Sequence, residues 1–314
     1  MKKIIYNQFG GPDVLTMIDT PIPDLTDTTI LIKIKAVSIN PLDWKIREGE
    51  MKLMSGSKLP KGVGIDFSGI VEKAGGSIRT FKKGDEVFGS VNQFKGGALA
   101  EYLLVSEKDI ALKPAKSSFA QAAALPVVGF AALGIFDQLI TIRQGTEVLI
   151  NGATGGIGML ATQIAKKQGA VVTAIVNEKG TTLATKWGAD VVRTYRQGPP
   201  PGPAKQYDVI IDLSGKMPFD QAKGQLKPSS TYVNTIPGPR QIIGSLVHNL
   251  FSKKKYRVLL SKPSAAYLQT LSEYVNDGLE VVIGRTYKMT AFKEAYAEMP
   301  QGGIVGKAVF TLDE

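Results

Sequence analysis

Seven residues, Gly152-Ala153-Thr154-Gly155-Gly156-Ile157-Gly158, hold four glycines one residue after the apolar run Val148-Leu149-Ile150. So dense a cluster costs conformational entropy on folding and marks a place where something approaches the backbone closely. One reading is an empty strand-to-helix turn; the other is a cradle for phosphate. The run is a variant of Gly-x-Gly-x-x-Gly, which is weak alone and gains weight from its setting. A buried strand precedes it, the amphipathic stretch "IGMLATQIAKKQG" begins inside it, and the strand "AVVTAIV" ends about twenty residues later. Backbone N–H groups and the dipole at a helix N-terminus favour an anion there. Gly152, Ala153, Thr154, Gly155, Gly156 and Ile157 are therefore expected to hold a dinucleotide pyrophosphate. The second strand closes on Val176-Asn177-Glu178-Lys179. Neutral Asn177 stands where an NAD site carries an acid, and Lys179 is placed to pair with a 2′-phosphate. This favours NADPH, provided that the Glu178 carboxylate points away.

The elements that position this loop change character along the chain. The first 110 or so residues read as short strands fenced by glycine: "TILIKIKAVSI" alternates Ile30, Ile32 and Ile34 with other residues, and "GIDFSGIVEKAG" and "GDEVFGSV" follow. Such spacing suggests a small, partly open β-barrel. From about Gln121 strands alternate with helical stretches. "AQAAALPVVGFAALGIF" is helical with Pro126 interrupting it, then come "TEVLI", "AVVTAIV", "TTLATKWG", "ADVVRTY", "YDVIIDL" and "STYVNTI". The expected class is α/β, with a doubly wound parallel sheet. "RQGPPPGPAK" reads as a surface loop in place of a crossover helix. The tail, from Glu280 to Leu312, returns to strand, short helix and strand, and its pattern assigns it to neither part.

Composition removes several chemistries. The chain has no cysteine and one histidine, His248, so disulfides, thiol nucleophiles and Cys- or His-rich metal sites are excluded. No Gly-x-Ser-x-Gly elbow accompanies His248, which reads as a packed or solvent-edge residue. The N-terminus has a two-residue apolar run and no stretch is long enough to span a bilayer, so a cytoplasmic protein is expected. A net charge of +10, from 38 basic and 28 acidic residues, raises nucleic acid, a membrane surface or an anionic small molecule as partners without favouring any of them. The densest basic cluster, Lys253 to Arg257, reads as a solvated face or loop.

Seven segments in order resemble the zinc-free quinone oxidoreductases of the medium-chain dehydrogenase/reductase superfamily, over nearly the whole length. They are "VSINPLDWKIREG", "GIDFSGIVEKAG", "FKKGDEVFG", "GGALAEY", "AAALPVVGFAAL", the glycine loop and "GGIVGKAVF". The Asn40-Pro41-Leu42-Asp43-Trp44-Lys45 form is most similar to the enone-reductase and chloroplast-envelope branch. The resemblance implies a GroES-like barrel, residues 1–122 and 272–314, with a Rossmann domain, 123–271, inserted. It implies a reductase passing hydride from NADPH to a quinone or an α,β-unsaturated carbonyl, as a homodimer. The alternatives are an enone-selective double-bond reductase and a non-catalytic NADPH-binding protein that contacts RNA or a membrane.

The same resemblance implies site residues. Asn40, Asp43 and Lys45 are expected to be catalytic, with Asp43 and Lys45 as a surface pair the plainer alternative. Val128, Tyr195, Ser214, Thr235, Pro237, Gly306 and Lys307 join Asn40, Asn177, Lys179 and the loop as cofactor contacts; a plain strand-end tyrosine is the rival for Tyr195. Zinc-dependent relatives carry Cys where this chain has Asn40 and His where it has Ile65, so no metal is expected. Ala131 replaces a threonine that often faces the cofactor, a loss of about 0.5–1.5 kcal/mol.

Overall fold

The computed structural model describes residues 1–198, 206–236 and 238–312. Two compact units divide the chain, Met1–Val127 with Pro263–Glu314, and Val128–Lys262. The first contains β1 (Lys2–Tyr6), β2 (Leu15–Asp19), β3 (Thr29–Ser38), α1 (Pro41–Glu48), α2 (Lys52–Ser55), β4 (Lys61–Gly62), β5 (Asp66–Ala74), β6 (Glu86–Ser90), β7 (Tyr102–Ser106), β8 (Ile110–Leu112) and α3 (Phe119–Ala123). The division then falls inside α4 (Pro126–Gly134). Unit two continues with β9 (Glu147–Asn151), α5 (Gly156–Lys167), β10 (Val171–Val176), α6 (Thr181–Lys186), β11 (Val191–Thr194), β12 (Tyr207–Asp212), α7 (Phe219–Ala222), β13 (Leu226–Asn234), α8 (Pro239–Phe251) and β14 (Lys255–Val258). The chain closes in unit one with α9 (Ala265–Asn276), β15 (Ile283–Lys288), α10 (Phe292–Glu298) and β16 (Lys307–Thr311).

In unit one the order β15-β16-β3-β5-β6-β8, with β7 also on β3, makes the barrel-like sheet; β2-β1-β4 is a smaller one. Ile30, Ile32 and Ile34 of β3 are buried together with Phe67, Val71, Val87 and Phe310 in one core, as period-two alternation requires. The tail finds its place here: β16 runs antiparallel to β3, pairing Val309 with Ser38. Helices α3 and α9 also belong to this unit, so the division lies later than residue 122 and earlier than residue 272. Ser68 Oγ donates to Phe119 O of α3 (2.6 Å), while Ser272 Oγ of α9 donates to Leu112 O of β8 (3.3 Å).

Unit two is one parallel sheet of order β11-β10-β9-β12-β13-β14, with β9 at the point where the order reverses. Its central strands β9, β10 and β12 are near-continuous apolar runs, as strands buried on both faces require. Gly169 and Gly188 follow α5 and α6 in the left-handed region (φ +88° and +87°), the conformation that ends a helix. The sixth strand corrects the reading of Lys253 to Arg257 as loop: Lys255 to Val258 pair with β13 despite their charge. Of the proline-rich loop, residues 199–205 lie outside the described residues.

Candidate active site

Strand β9 delivers the chain to Gly152, whose φ of +92° is accessible only to glycine without strain. The N–H groups of Gly152 and Ala153 both turn back to Ile175 O, at 2.9 and 3.2 Å, which ties the loop to β10. Two glycines are consumed by packing. A Cβ on Gly158 would lie 2.1 Å from Gly152 O, and one on Gly180 would lie 2.3 Å from Thr154 Oγ1. Gly155 differs: a Cβ there would meet only Gly152 O, at 3.5 Å. Its bareness is not demanded by the fold itself. Gly155 is also the N-cap of α5 and supplies no side-chain cap, so the first N–H groups of that helix are left for another acceptor. An uncapped helix start behind an unobstructed glycine fits a pyrophosphate.

Asp212, at the end of β12, organises the neighbouring strand ends. Its Oδ1 accepts from Asn151 Nδ2 (2.9 Å), Ser214 Oγ (3.0 Å) and the N–H groups of Ser214 and Gly215 (3.1 Å each), and its Oδ2 accepts from Met217 N–H (3.1 Å). Thr235 Oγ1 donates to Asp212 O (3.1 Å). Ser214 and Thr235 are thus brought together, with hydroxyls that fasten β12 and β13. Tyr195 follows β11 with its N–H on Val176 O (3.0 Å), and burial with the Asp212 charge pushes its phenol up. Asn177 and Lys179 lie just past β10, and Lys179 is exposed. The Glu178 carboxylate is turned to Arg196 Nε at 3.3 Å, a cation that sequence reasoning did not single out. Val128 is buried in α4, so its side chain serves the core. Pro237 lies outside the described residues. His248 is packed, its ring centroid 4.6 Å from that of Phe219.

The residues expected to be catalytic meet in unit one around a buried cluster of charge. Asn40 caps α1, and Asp43 Oδ2 accepts its N–H at 2.8 Å. The Asn40 amide is fixed from both ends: Lys307 Nζ donates to its Oδ1 (2.6 Å), and its Nδ2 donates to Asp66 Oδ2 (3.0 Å). Lys307 also donates to Ile39 O (2.7 Å), and Asp66 accepts from Ser38 Oγ (3.2 Å) and Val127 N–H (3.2 Å). Asn40, Asp66 and Lys307 are at most 5% exposed. Burial pushes Asp43 up to about 7, against the stabilising Asn40 N–H, and pushes Asp66 up to about 6, against the charge of Lys307. Burial lowers Lys307.

This arrangement alters three expectations. The Lys307 ammonium is turned inward onto Asn40 rather than out toward a cofactor. Gly306 serves the fold, since a Cβ there would lie 2.1 Å from Val282 O. Asp43 is buried within the fold rather than paired at the surface with Lys45, and Lys45 remains half-buried in the last turn of α1. Asn40 and Asp43 are positioned to orient this segment, with the Asn40 amide and Asp43 Oδ2 committed within it. Asp66 and Asp212 were not picked out from the sequence. The available signal was one acid at the start of the apolar run "DFSGIV" and one at the end of "YDVIID".

Comparison with known proteins adds the family. Residues 26–115 match the alcohol dehydrogenase GroES-like domain and residues 187–310 the zinc-binding dehydrogenase model. A chloroplastic quinone oxidoreductase of Triphysaria versicolor is 32% identical over 98% of this chain and 98% of its own. A chloroplastic NADPH-dependent alkenal/one oxidoreductase of Arabidopsis thaliana is 33% identical, covering 78% of this chain and 66% of its own. The solved quinone oxidoreductase of Coxiella burnetii superposes with a TM-score of 0.89 at 32% identity, covering 100% of this chain and 99% of its own. With its GroES-like sheet, its Rossmann sheet and relatives alike over the full length, the chain belongs to the quinone oxidoreductase branch of the medium-chain dehydrogenase/reductase superfamily.

Proposed function

We propose that this protein is an NADPH-dependent reductase of quinones or α,β-unsaturated carbonyls that works without a metal. The observation that carries the reading is the uncapped start of α5 behind Gly155, at the reversal point of the parallel sheet. When bound, NADPH supplies the hydride; the protein supplies binding, orientation and electrostatics. The N–H groups of Gly156 and Ile157, at the uncapped start of α5, hold the pyrophosphate, and the loop from Gly152 to Gly155 shapes the approach to them. Lys179 pairs with the 2′-phosphate, and the Glu178–Arg196 ion pair keeps the nearby carboxylate from opposing it. Tyr195, Ser214 and Thr235 line the strand ends along which the dinucleotide lies. In unit one, Lys307 and Asp66 fix the Asn40 amide, which sets α1 and with it Lys45. The Lys45 ammonium stabilises the oxygen that gains negative charge on the acceptor, a role that needs no proton relay.

The names of the relatives, a quinone oxidoreductase and an NADPH-dependent alkenal/one oxidoreductase, support both acceptor classes and the cofactor. Metal independence is supported by the sequence, which has no cysteine and has buried Ile65 where zinc-dependent relatives place a histidine. A cytoplasmic homodimer is the assembly and location that the resemblance favours, tested by sedimentation and by fractionation.

The deciding experiment follows NADPH consumption with a quinone and, separately, with a conjugated enone, identifying each product. Turnover of either supports the reductase, and the better acceptor names the substrate class. NADPH binding without turnover of either would overturn the enzymatic reading in favour of a cofactor-binding protein. Lys179→Asp is expected to raise the KM for NADPH at least about tenfold and that for NADH much less; equal losses would remove the phosphate clamp. Chelator is expected to leave the rate unchanged.

A further inference from the structure

The ends of β10 and β11 carry an ion pair on two braced turns. The strands are parallel neighbours, with Val176 opposite Thr194, and Tyr195 N–H donates to Val176 O (3.0 Å). The residues just past them therefore stand side by side at the carboxyl edge of the sheet, where doubly wound folds take their ligands. Past β10, Glu178-Lys179-Gly180 forms a tight turn closed by Gly180 N–H on Asn177 O (3.0 Å), with Gly180 packed against Thr154 of the glycine loop. Past β11, the turn that carries Arg196 is tied from within. Arg193 donates through Nε to Gly198 O (2.7 Å) and through Nη2 to Gln197 O (2.9 Å), and Thr194 N–H donates to Gln197 Oε1 (3.0 Å). These two turns set Glu178 Oε1 and Arg196 Nε 3.3 Å apart.

The pair is able to exchange partners. The Arg196 side chain is 89% exposed and that of Glu178 56%, and an ion pair so open to water is weak and screened by salt. No further ion pair engages Glu178, Lys179 or Arg196 among the described residues. An acid at this strand end suits the ribose of NADH, whose 2′-hydroxyl donates to it, while cations there suit the 2′-phosphate of NADPH. This chain holds both. Toward a 2′-hydroxyl, one carboxylate oxygen of Glu178 keeps Arg196 while the other accepts the new hydrogen bond. A phosphate monoester carries a charge of about −1.5 to −2 at neutral pH and three acceptor oxygens, so it competes better than a single carboxylate for the guanidinium fork.

We propose that Glu178 and Arg196 form an exchangeable pair that admits NADH as well as NADPH. Arg196 leaves Glu178 for the 2′-phosphate of NADPH, and Glu178 accepts the 2′-hydroxyl of NADH; this rests on the reading of unit two as the dinucleotide site. The test is titration of the full-length protein, with no acceptor present, by each dinucleotide. A parallel titration uses adenosine diphosphate ribose with and without a 2′-phosphate, which leaves the nicotinamide out. The parent is expected to bind both forms, the phosphorylated one more tightly, and rising salt should narrow that preference. Arg196→Ala is expected to weaken NADPH about three- to fivefold and to spare NADH, while Glu178→Gln is expected to weaken NADH by a similar factor and to tighten NADPH. The two variants thus move the ratio of affinities in opposite directions, with thermal unfolding unchanged because both side chains are exposed. A parent that binds NADPH but not NADH, or a ratio that neither variant moves, overturns the proposal and leaves the dinucleotide site standing. A parent that binds neither overturns the dinucleotide site and the proposal together.

Discussion

The two units each gather their chemistry at one place, and they do so by opposite means. Around Asn40, unit one encloses two acids and an ammonium within the fold, where charges interact strongly and side chains and backbone groups share the partnering. Around Gly155, unit two offers backbone N–H groups, and the charged side chains that follow β10 and β11, Glu178, Lys179 and Arg196, are exposed. Deleting one group in the first centre strands the others in a low-dielectric setting. A substitution in the second changes shape, with little charge at stake. The first centre therefore couples function to stability, while in the second the two are separable.

Asp66→Ala tests the first half of that contrast most severely. It removes the acceptor of Asn40 Nδ2, Ser38 Oγ and Val127 N–H and leaves the Lys307 ammonium buried without its acid. A loss of about 3–5 kcal/mol is expected in denaturant unfolding. Combining it with Lys307→Met is expected to cost less than the sum of the single changes, since the double variant removes the ammonium that Asp66→Ala alone strands. Strict additivity would show that the cluster does not act as a unit.

Two glycines test the second half at intermediate magnitude. Gly158→Ala forces a Cβ toward the Gly152 carbonyl, so both fold and loop must give, with about 1–3 kcal/mol lost. Gly155→Ala meets no such obstacle, and its φ of −76° suits any residue. Stability within about 0.5 kcal/mol of the parent is expected, together with NADPH binding at least about tenfold weaker by titration, the energy of one to two hydrogen bonds to an anion. Undiminished NADPH binding in Gly155→Ala would sever the loop from the cofactor.

The same contrast explains what the sequence disclosed. The glycine loop was legible because its demands are local: a positive φ at Gly152 and close packing at Gly158 call for glycine at fixed spacing. The Rossmann strands were legible as apolar runs between helices. The cluster at Asn40 was not, because Lys307 reaches Asn40 from 267 residues away, and no local pattern records that meeting. Strand β14 was missed because three of its residues, Lys255, Tyr256 and Arg257, resemble a solvated loop; pairing with Thr231 to Val233 of β13 overrides that preference.

A last contrast separates the two centres by pH. Asp43 titrates at about 7 in the folded chain because burial disfavours its charge, against about 4 when unfolded. Between those values the folded state holds a proton that the unfolded state has released. The stability from this group is therefore complete below about pH 4 and is lost as pH rises through about 7. Asp43→Asn replaces the carboxyl with a group that does not titrate, so its unfolding midpoint should lack this decline, and the gap between the two proteins should change in favour of the variant from about pH 4 to 7. Gly155→Ala, which touches no titrating group, should keep the parent's profile. A constant gap between parent and Asp43→Asn across that window would mean that the Asp43 carboxyl is ionised throughout and that the Asn40 N–H and the neighbouring Lys307 outweigh its burial.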